Sequence, residues 1–289
     1  MRILSDFDGV WTDQASEARW IQRWFARAAA DRLGIDRDEA LADFDAFLSA
    51  ALDDPAENGW APRGLLTAFV DEDELLATGS VARWLDLGGE HPRADLWRNG
   101  VQDAGYDSVH ALGTEEFEPA MRSYLARFGH RVVDGAREVV DALLASGVDL
   151  VIVSNSPTDK LEAMFGAAGV RESDGVRFVG GARKWWIESP EPIHSIAGRD
   201  IYLDRPIYRD VVAREQPDLV IGDVVSLDLA IPGALRLEGA ISPDAQLVLR
   251  RGPRSSAWAL SQPDLQRDAR FVDEVVDDVA DLVGIARRG

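Results

Sequence analysis

The sequence predicts an α/β protein: a doubly wound parallel sheet with a mostly helical domain inserted after its first strand. Three observations predict it. From Val132 onward, short apolar runs alternate with segments of helical period, the pattern of a parallel sheet covered by helices on both faces. One more apolar run, residues 3–7, stands alone near the N-terminus. Between them, residues 15–130 show helical spacing and no convincing strand.

The elements follow in order. Residues 3–7 read as a strand, and alternation along it puts Asp6 and Asp8 on one face at its C-terminal end. Gly9 permits a sharp turn straight after. Ala, Trp, Ile, Trp, Phe and Ala recur at helical spacing over 15–31. A second helix spans 36–52, opened by Asp36 as its cap. Gly59 and Pro62 break the pattern at 58–63, and helices resume at 71–87 and 115–129. A helix at 135–146 stops at Gly147, and 148–154 is a buried strand. The helix at 157–168 stops at Gly169, and a short strand follows at 176–180. A helix at 207–215 leads to a strand at 219–221 that runs into Gly222-Asp223. Further strands are expected at 235–237 and 246–250, a closing helix at 271–283, and loops at 189–196 and 252–264. The expected domains are a core of residues 1–14 and 131–289 and a helical domain of residues 15–130.

Composition narrows the function. The chain has 289 residues, 46% of them hydrophobic, enough for a sizeable core. Its net charge is −20, which argues against nucleic acid as a partner, because neutralising phosphates needs clustered cations. No cysteine is present, so a disulfide framework, a thiol nucleophile and a thiolate metal site are excluded. No apolar run is long enough to span a bilayer, and the N-terminal stretch does not read as a signal peptide. A cytoplasmic enzyme is the expectation. Only two of the 31 basic residues are lysines, Lys160 and Lys184. An ammonium and a guanidinium are not equivalent, so both positions merit inspection. The four histidines (His91, His110, His130 and His194) show no metal-ligand spacing.

Three strands end in residues suited to phosphate or metal chemistry. Asp6 and Asp8 end the first, Ser154 with Asn155 and Ser156 ends the strand at 148–154, and Asp223 ends the strand at 219–221 with Asp228 beyond it. Each also has a plain structural use. Serine and aspartate at strand–helix junctions cap helices, and Asp-rich turns are common at surfaces. In a parallel sheet, however, all three ends lie along one edge, where ligands bind. Carboxylates gathered there repel one another unless a cation sits among them, and Mg²⁺ suits such an oxygen-rich site.

The run Asp6-Phe7-Asp8-Gly9-Val10-Trp11-Thr12-Asp13, then Ser154, then Gly222-Asp223 with Asp228, resembles in order the first, second and fourth motifs of the haloacid dehalogenase-like (HAD) superfamily. The resemblance covers residues 1–14 and 131–289, and the helical block falls where that superfamily places a helical cap. It implies Asp6 as the nucleophile that forms an aspartyl-phosphate. Asp8 is then the residue that protonates the leaving alcohol and activates water. Ser154 binds a phosphate oxygen, with Asn155 beside it. The implied Mg²⁺ site is Asp6, Asp223 and the backbone carbonyl of Asp8, with Asp228 in support. An aspartate at position 8 is similar to the phosphatase and phosphomutase branches rather than the dehalogenase and phosphonatase ones.

The implied activity is Mg²⁺-dependent hydrolysis of a small phosphorylated metabolite. The alternatives are a phosphomutase acting on a sugar phosphate and a catalytically idle binding or regulatory protein. The superfamily's third motif, a lysine, has three candidates here. Arg205 lies in Asp204-Arg205-Pro206, spaced from Asp223 like the family's lysine–proline pair. Lys184 follows the strand at 176–180, and Lys160 sits on the helix after Ser154, where a solvated helix face also accounts for it. With Lys184 in the role, 185–203 becomes an insertion near the site. Trp11 stands where a smaller aliphatic residue is usual, and reads either as packing or as the floor of a substrate pocket. The tryptophans of the helical block read likewise as core or as a surface for a planar or sugar-like substrate.

Overall fold

The computed structural model describes residues 1–129 and 131–288; His130 lies outside the described residues. The chain divides into two compact units, Met1–Asp13 with His130–Gly289, and Gln14–Gly129.

Strand β1 (Arg2–Asp6) opens the chain. The unit that follows contains α1 (Gln14–Leu33), α2 (Arg37–Leu52), a two-stranded hairpin of β2 (Gly59–Trp60) and β3 (Ala68–Phe69), then α3 (Ala77–Asp86), α4 (Ala94–Asp103) and α5 (Val109–Phe128). Asp36 caps α2, accepting hydrogen bonds from the backbone N–H groups of Asp38 and Glu39. The apolar faces meet in a core where Phe25, Phe44, Phe47, Trp84 and Trp97 pack together. Trp84 and Trp97 are thus core residues. The buried carboxylate of Asp43 accepts from Trp97 Nε1 at 2.9 Å and from Arg93 Nε at 2.8 Å, which satisfies the indole inside the core. The structure departs from the expected reading of this stretch in four places. Helix α3 starts at Ala77 rather than 71, α5 starts at Val109 rather than 115, and α4 and the β2–β3 hairpin were unforeseen. Elements as short as two residues, or with a glycine in mid-helix such as Gly100 in α4, leave little periodic signal.

The remaining elements complete the first unit: α6 (Ala136–Ala145), β4 (Asp149–Val153), α7 (Thr158–Ala167), β5 (Val176–Val179), β6 (Ile193–Ile196), β7 (Arg199–Tyr202), α8 (Pro206–Glu215) and β8 (Leu219–Gly222). A π-helical turn (Val225–Leu229) runs into α9 (Ala230–Leu237), followed by β9 (Gln246–Arg250), α10 (Ala257–Leu260), β10 (Glu274–Val276) and α11 (Asp281–Ala286). Six strands form one parallel sheet in the order β10-β9-β8-β1-β4-β5. The fold is therefore an α/β parallel sheet flanked by helices. Val, Ile and Leu dominate its central strands because both faces are covered. The chain moves from β1 to β4 and β5 on one side, then to β8, β9 and β10 on the other. The end of β1 is thus a topological switch point, where open α/β sheets bind ligands.

Several expectations fail here for physical reasons. Residues 235–237 are the end of α9, not a strand. Pro232 and Gly233 hide that helix from a propensity reading, yet the carbonyl four residues before Pro232, that of Asp228, accepts from the Tyr208 hydroxyl instead of from a helix N–H. Gly233 packs so closely on Phe271 that a Cβ there would lie 2.1 Å from the ring. Residues 271–283 form β10 and the short α11 rather than one helix. The expected loop at 189–196 contains β6, which pairs antiparallel with β7 through a tight turn at Ala197 and Gly198, both at positive φ. The expected loop at 252–264 contains α10. Among the described residues, no helix is long and apolar enough to cross a membrane.

Candidate active site

Register brings the three strand ends level. Asp6 pairs with Val153 of β4, and Ser5 pairs with Ile221 of β8. Asp6 therefore lies beside Ser154 on one side and Gly222-Asp223 on the other. After Asp6 the chain turns: Trp11 N–H donates to Phe7 O, and Gly9, at φ 76°, donates its N–H to Thr12 Oγ1. This turn holds Asp8 at the sheet edge. Ser154 Oγ donates to Asp8 Oδ2 at 3.1 Å and accepts from Ser156 N–H at 3.0 Å.

Residues 180–184 are stitched to the end of β4. Gly181 N–H donates to Ser156 O and Ala182 N–H to Ser154 O, both at 2.9 Å. Gly180 allows this approach, since a Cβ there would lie 2.2 Å from Thr158 N. The chain then turns at Arg183, at φ 45°, and Lys184 N–H donates to Asn155 Oδ1 at 2.7 Å. These contacts send the Lys184 side chain into the site, where it is 1% exposed. Its Nζ lies 2.5 Å from Asp6 Oδ1 and 2.9 Å from Asp228 Oδ1. Asp228 Oδ2 accepts from Val224 N–H at 3.0 Å, and Gly222 leaves the room its side chain fills.

Carboxylate oxygens of Asp6, Asp223 and Asp228 lie within 4.8 Å of one another. Three hard oxygen donors this close fit a divalent cation such as Mg²⁺. The electrostatics agree. Burial, then the charge of Asp228, pushes the Asp6 carboxyl well above its ordinary range, against the pull of Lys184. Burial pulls the Lys184 ammonium down, but Asp228 and Asp6 outweigh it and hold it well above its ordinary value. Both directions follow from one buried ammonium set between two buried carboxylates.

Of the residues read as catalytic, Asp6, Asp8, Ser154 and Lys184 come together. Arg205 does not take the place at Asp6. It is fully buried, and its guanidinium donates from Nε to Tyr202 O at 3.0 Å and from Nη1 to Lys184 O at 2.8 Å. Lys160 stays on α7, with Nζ 3.2 Å from Ser156 Oγ. Trp11 is corrected: it is fully buried in the core, packs on Phe165 and donates Nε1–H to Ser5 Oγ at 2.8 Å. Asn155 has its Oδ1 engaged by the Lys184 N–H, so it seats the lysine loop. Asp8 contributes its side chain to Ser154 and not to the three-carboxylate group. Tyr208 was missed. Its buried hydroxyl donates to Asp228 O at 2.9 Å and its ring lies 5.4 Å from Lys184 Nζ. Nothing about a tyrosine three residues into a helix marks it for that place.

No protein-family model and no curated protein matches the chain. Several solved structures similar to it are described as HAD hydrolases or phosphatases. A HAD phosphatase from Thermococcus onnurineus is 16% identical, with a TM-score of 0.47 over 98% of this chain and 96% of that one. CbbY from Rhodobacter sphaeroides, in complex with phosphate, is 16% identical, with a TM-score of 0.43 over 97% and 95%. A 2-haloacid dehalogenase from Pseudomonas syringae is 18% identical, with a TM-score of 0.43 over 99% and 98%. These likenesses span nearly the whole chain at low identity. The α/β core is established by its own strand order.

Proposed function

We propose that the chain is a HAD-like phosphatase that hydrolyses a small phosphomonoester through Asp6. The observation that carries the reading is the meeting, at one switch point, of Asp6 held by Lys184 and Asp8 held by Ser154. An attacking carboxylate needs a cation to fix it, and the leaving alkoxide needs a proton. Asp6 attacks phosphorus as the bond to the alcohol oxygen breaks. Asp8 gives its proton to that oxygen, and Asp6 is left as the aspartyl-phosphate. Asp8, now a carboxylate, takes a proton from a water, whose oxygen attacks phosphorus. Inorganic phosphate leaves and the Asp6 carboxylate returns.

Lys184 has three N–H donors, two of them directed at Asp6 and Asp228. The third is available to a phosphate oxygen. Ser154 Oγ, at the same edge, supplies a further donor once its hydroxyl hydrogen turns from Asp8 to a phosphate oxygen. Asp6 and Asp223 would hold a Mg²⁺, with the backbone carbonyl of Asp8, and Asp228 supports them because both of its oxygens already accept from N–H donors. Bound there, the ion offsets the charge of the phosphate so that an anionic carboxylate can approach it. The helical unit, Gln14–Gly129, is read as the cap that selects the substrate.

The test is release of p-nitrophenol from p-nitrophenyl phosphate in the presence of Mg²⁺, with wild type beside Asp6→Asn. Loss of turnover in the variant is expected. Equal rates would remove Asp6 from the role of nucleophile.

A further inference from the structure

Lys184 comes from a loop and carries a long, flexible side chain, whose rotamer freedom must be removed if its ammonium is to sit at one point. We propose that Arg205 and Tyr208, at the start of α8, are the positioning residues that hold Lys184 against Asp6. The proposal rests on the reading of Asp6 and Lys184 given above, and it goes beyond that reading in assigning two residues that touch no reacting atom.

Arg205 fixes where the lysine begins. Its guanidinium grips the Lys184 carbonyl at 2.8 Å through Nη1 and the Tyr202 carbonyl at 3.0 Å through Nε. Tyr202 ends β7, so one side chain ties the lysine loop to the strand that leads into α8. A planar guanidinium with several fixed donors suits such bridging, and a lysine at 205 would not replace it. Tyr208 fixes where the lysine ends. Its ring lies 5.4 Å from Nζ, within the range of an attractive cation–ring contact. Its hydroxyl donates to the backbone carbonyl of Asp228, whose carboxylate is the ammonium's second partner. Tyr208 thus fixes the ammonium and one of its anions together.

Arg205 occupies the N-cap position of α8, its side chain spent on the two carbonyls rather than on the helix, and Tyr208 lies three residues on, about one turn away. Both are buried. Asn155 Oδ1 adds a third point, on the Lys184 N–H. The lysine's N–H, carbonyl and ammonium are therefore each held by a different residue.

The experiment compares Arg205→Met, Tyr208→Leu, Tyr208→Phe and Lys184→Met, with the double variants Lys184→Met/Arg205→Met and Lys184→Met/Tyr208→Leu. The kcat and KM for p-nitrophenyl phosphate are measured with Mg²⁺. Because the chain has only two lysines, ¹⁵N-lysine labelling gives two side-chain signals, and that of Lys184 reports its position without turnover. Arg205→Met and Tyr208→Leu should lower kcat about 10- to 100-fold, as a small misplacement does, with KM near its wild-type value. Tyr208→Phe keeps the ring, loses only the hydroxyl, and should fall between. In the Lys184→Met background neither change should lower kcat further, since residues acting through the lysine do not add to its loss. The Lys184 signal should move in Arg205→Met, Tyr208→Leu and Tyr208→Phe while that of Lys160 stays.

Folded Arg205→Met and Tyr208→Phe proteins with wild-type kcat and an unmoved Lys184 signal would overturn the proposal. Losses that multiply with Lys184→Met would also overturn it, because they belong to a general structural role. A wild-type kcat in Lys184→Met removes the underlying reading of the lysine instead. A Lys184 signal displaced by the Arg205 and Tyr208 changes would then still support the positioning.

Discussion

Lys184 Nζ and Asp6 Oδ1 lie 2.5 Å apart although 178 residues separate them along the chain. The pair joins the end of β1 to the loop after β5, across β4, and it is almost closed to solvent, with side-chain exposures of 2% and 10%. A buried pair is weak evidence for stability, because desolvation offsets much of the attraction. Its place at a switch point argues for chemistry.

Removing the ammonium should slow turnover and also cost stability, because it leaves the buried carboxylates of Asp6 and Asp228 without their cation. Lys184→Met is expected to lower kcat about 100- to 1,000-fold, in the range seen when one preorganised donor to a developing charge is lost. Lys184→Arg should not restore it. A planar guanidinium cannot direct compact donors at Asp6, Asp228 and a phosphate oxygen from the same point. Steady-state rates on p-nitrophenyl phosphate check both outcomes, and retention of wild-type kcat in either variant would count against the role given to the lysine.

The carboxylate group makes a prediction that needs no turnover. A cation that binds the folded chain through Asp6 and Asp223, and not the unfolded one, stabilises it by about 2.7 kcal/mol at one hundred times its Kd. Mg²⁺ should raise the melting temperature, and Asp223→Asn should remove most of that rise. Asp223→Asn with an undiminished Mg²⁺ shift would place the ion elsewhere.

What the sequence made legible, and what it did not, follows from how local each signal is. β1, β4 and β8 are short, two-faced apolar runs, and their polar ends mark the edge before any coordinate is known. β10 was hidden because Phe271, Val272, Val275, Val276 and Val279 mimic a helical spacing. Pairing overrides it: Asp273 N–H donates to Leu247 O, and its carboxylate accepts from Leu247 N–H and from Arg236. The choice between Lys184 and Arg205 was equally out of reach. It depends on the path of residues 180–184, which the approach of Gly180 to Thr158 and the turn at Arg183 decide.

Trp11 gives a prediction that separates packing from binding. Its ring meets Phe165 at 5.3 Å and its Nε1–H satisfies Ser5 Oγ inside the core. Trp11→Phe removes the donor and leaves a void, which should cost about 1–3 kcal/mol of stability. KM should not change, since the side chain is closed to solvent. Chemical denaturation and steady-state kinetics on the same preparation test this, and a raised KM with unaltered stability would return Trp11 to the substrate pocket.

At alkaline pH, Lys184 and Tyr208 make a joint prediction. Burial lowers the lysine's pKa, but Asp228 and Asp6 more than reverse this, and it ends well above its ordinary 10.5. Burial raises the Tyr208 hydroxyl, against the pull of Lys184, above its ordinary 10.0. Both groups therefore keep their protons in the folded chain at pH values where the unfolded chain has released them. The stability this confers is complete below the unfolded values and is lost as pH rises past them toward the folded ones. Denaturation midpoints should hold up to pH 10 and fall beyond it. Tyr208→Phe has no phenolic proton to retain, so its midpoint should fall less steeply between pH 10 and 12 than that of the wild type. Parallel slopes for the two proteins would mean that Tyr208 releases its proton as readily in the folded chain as in the unfolded one.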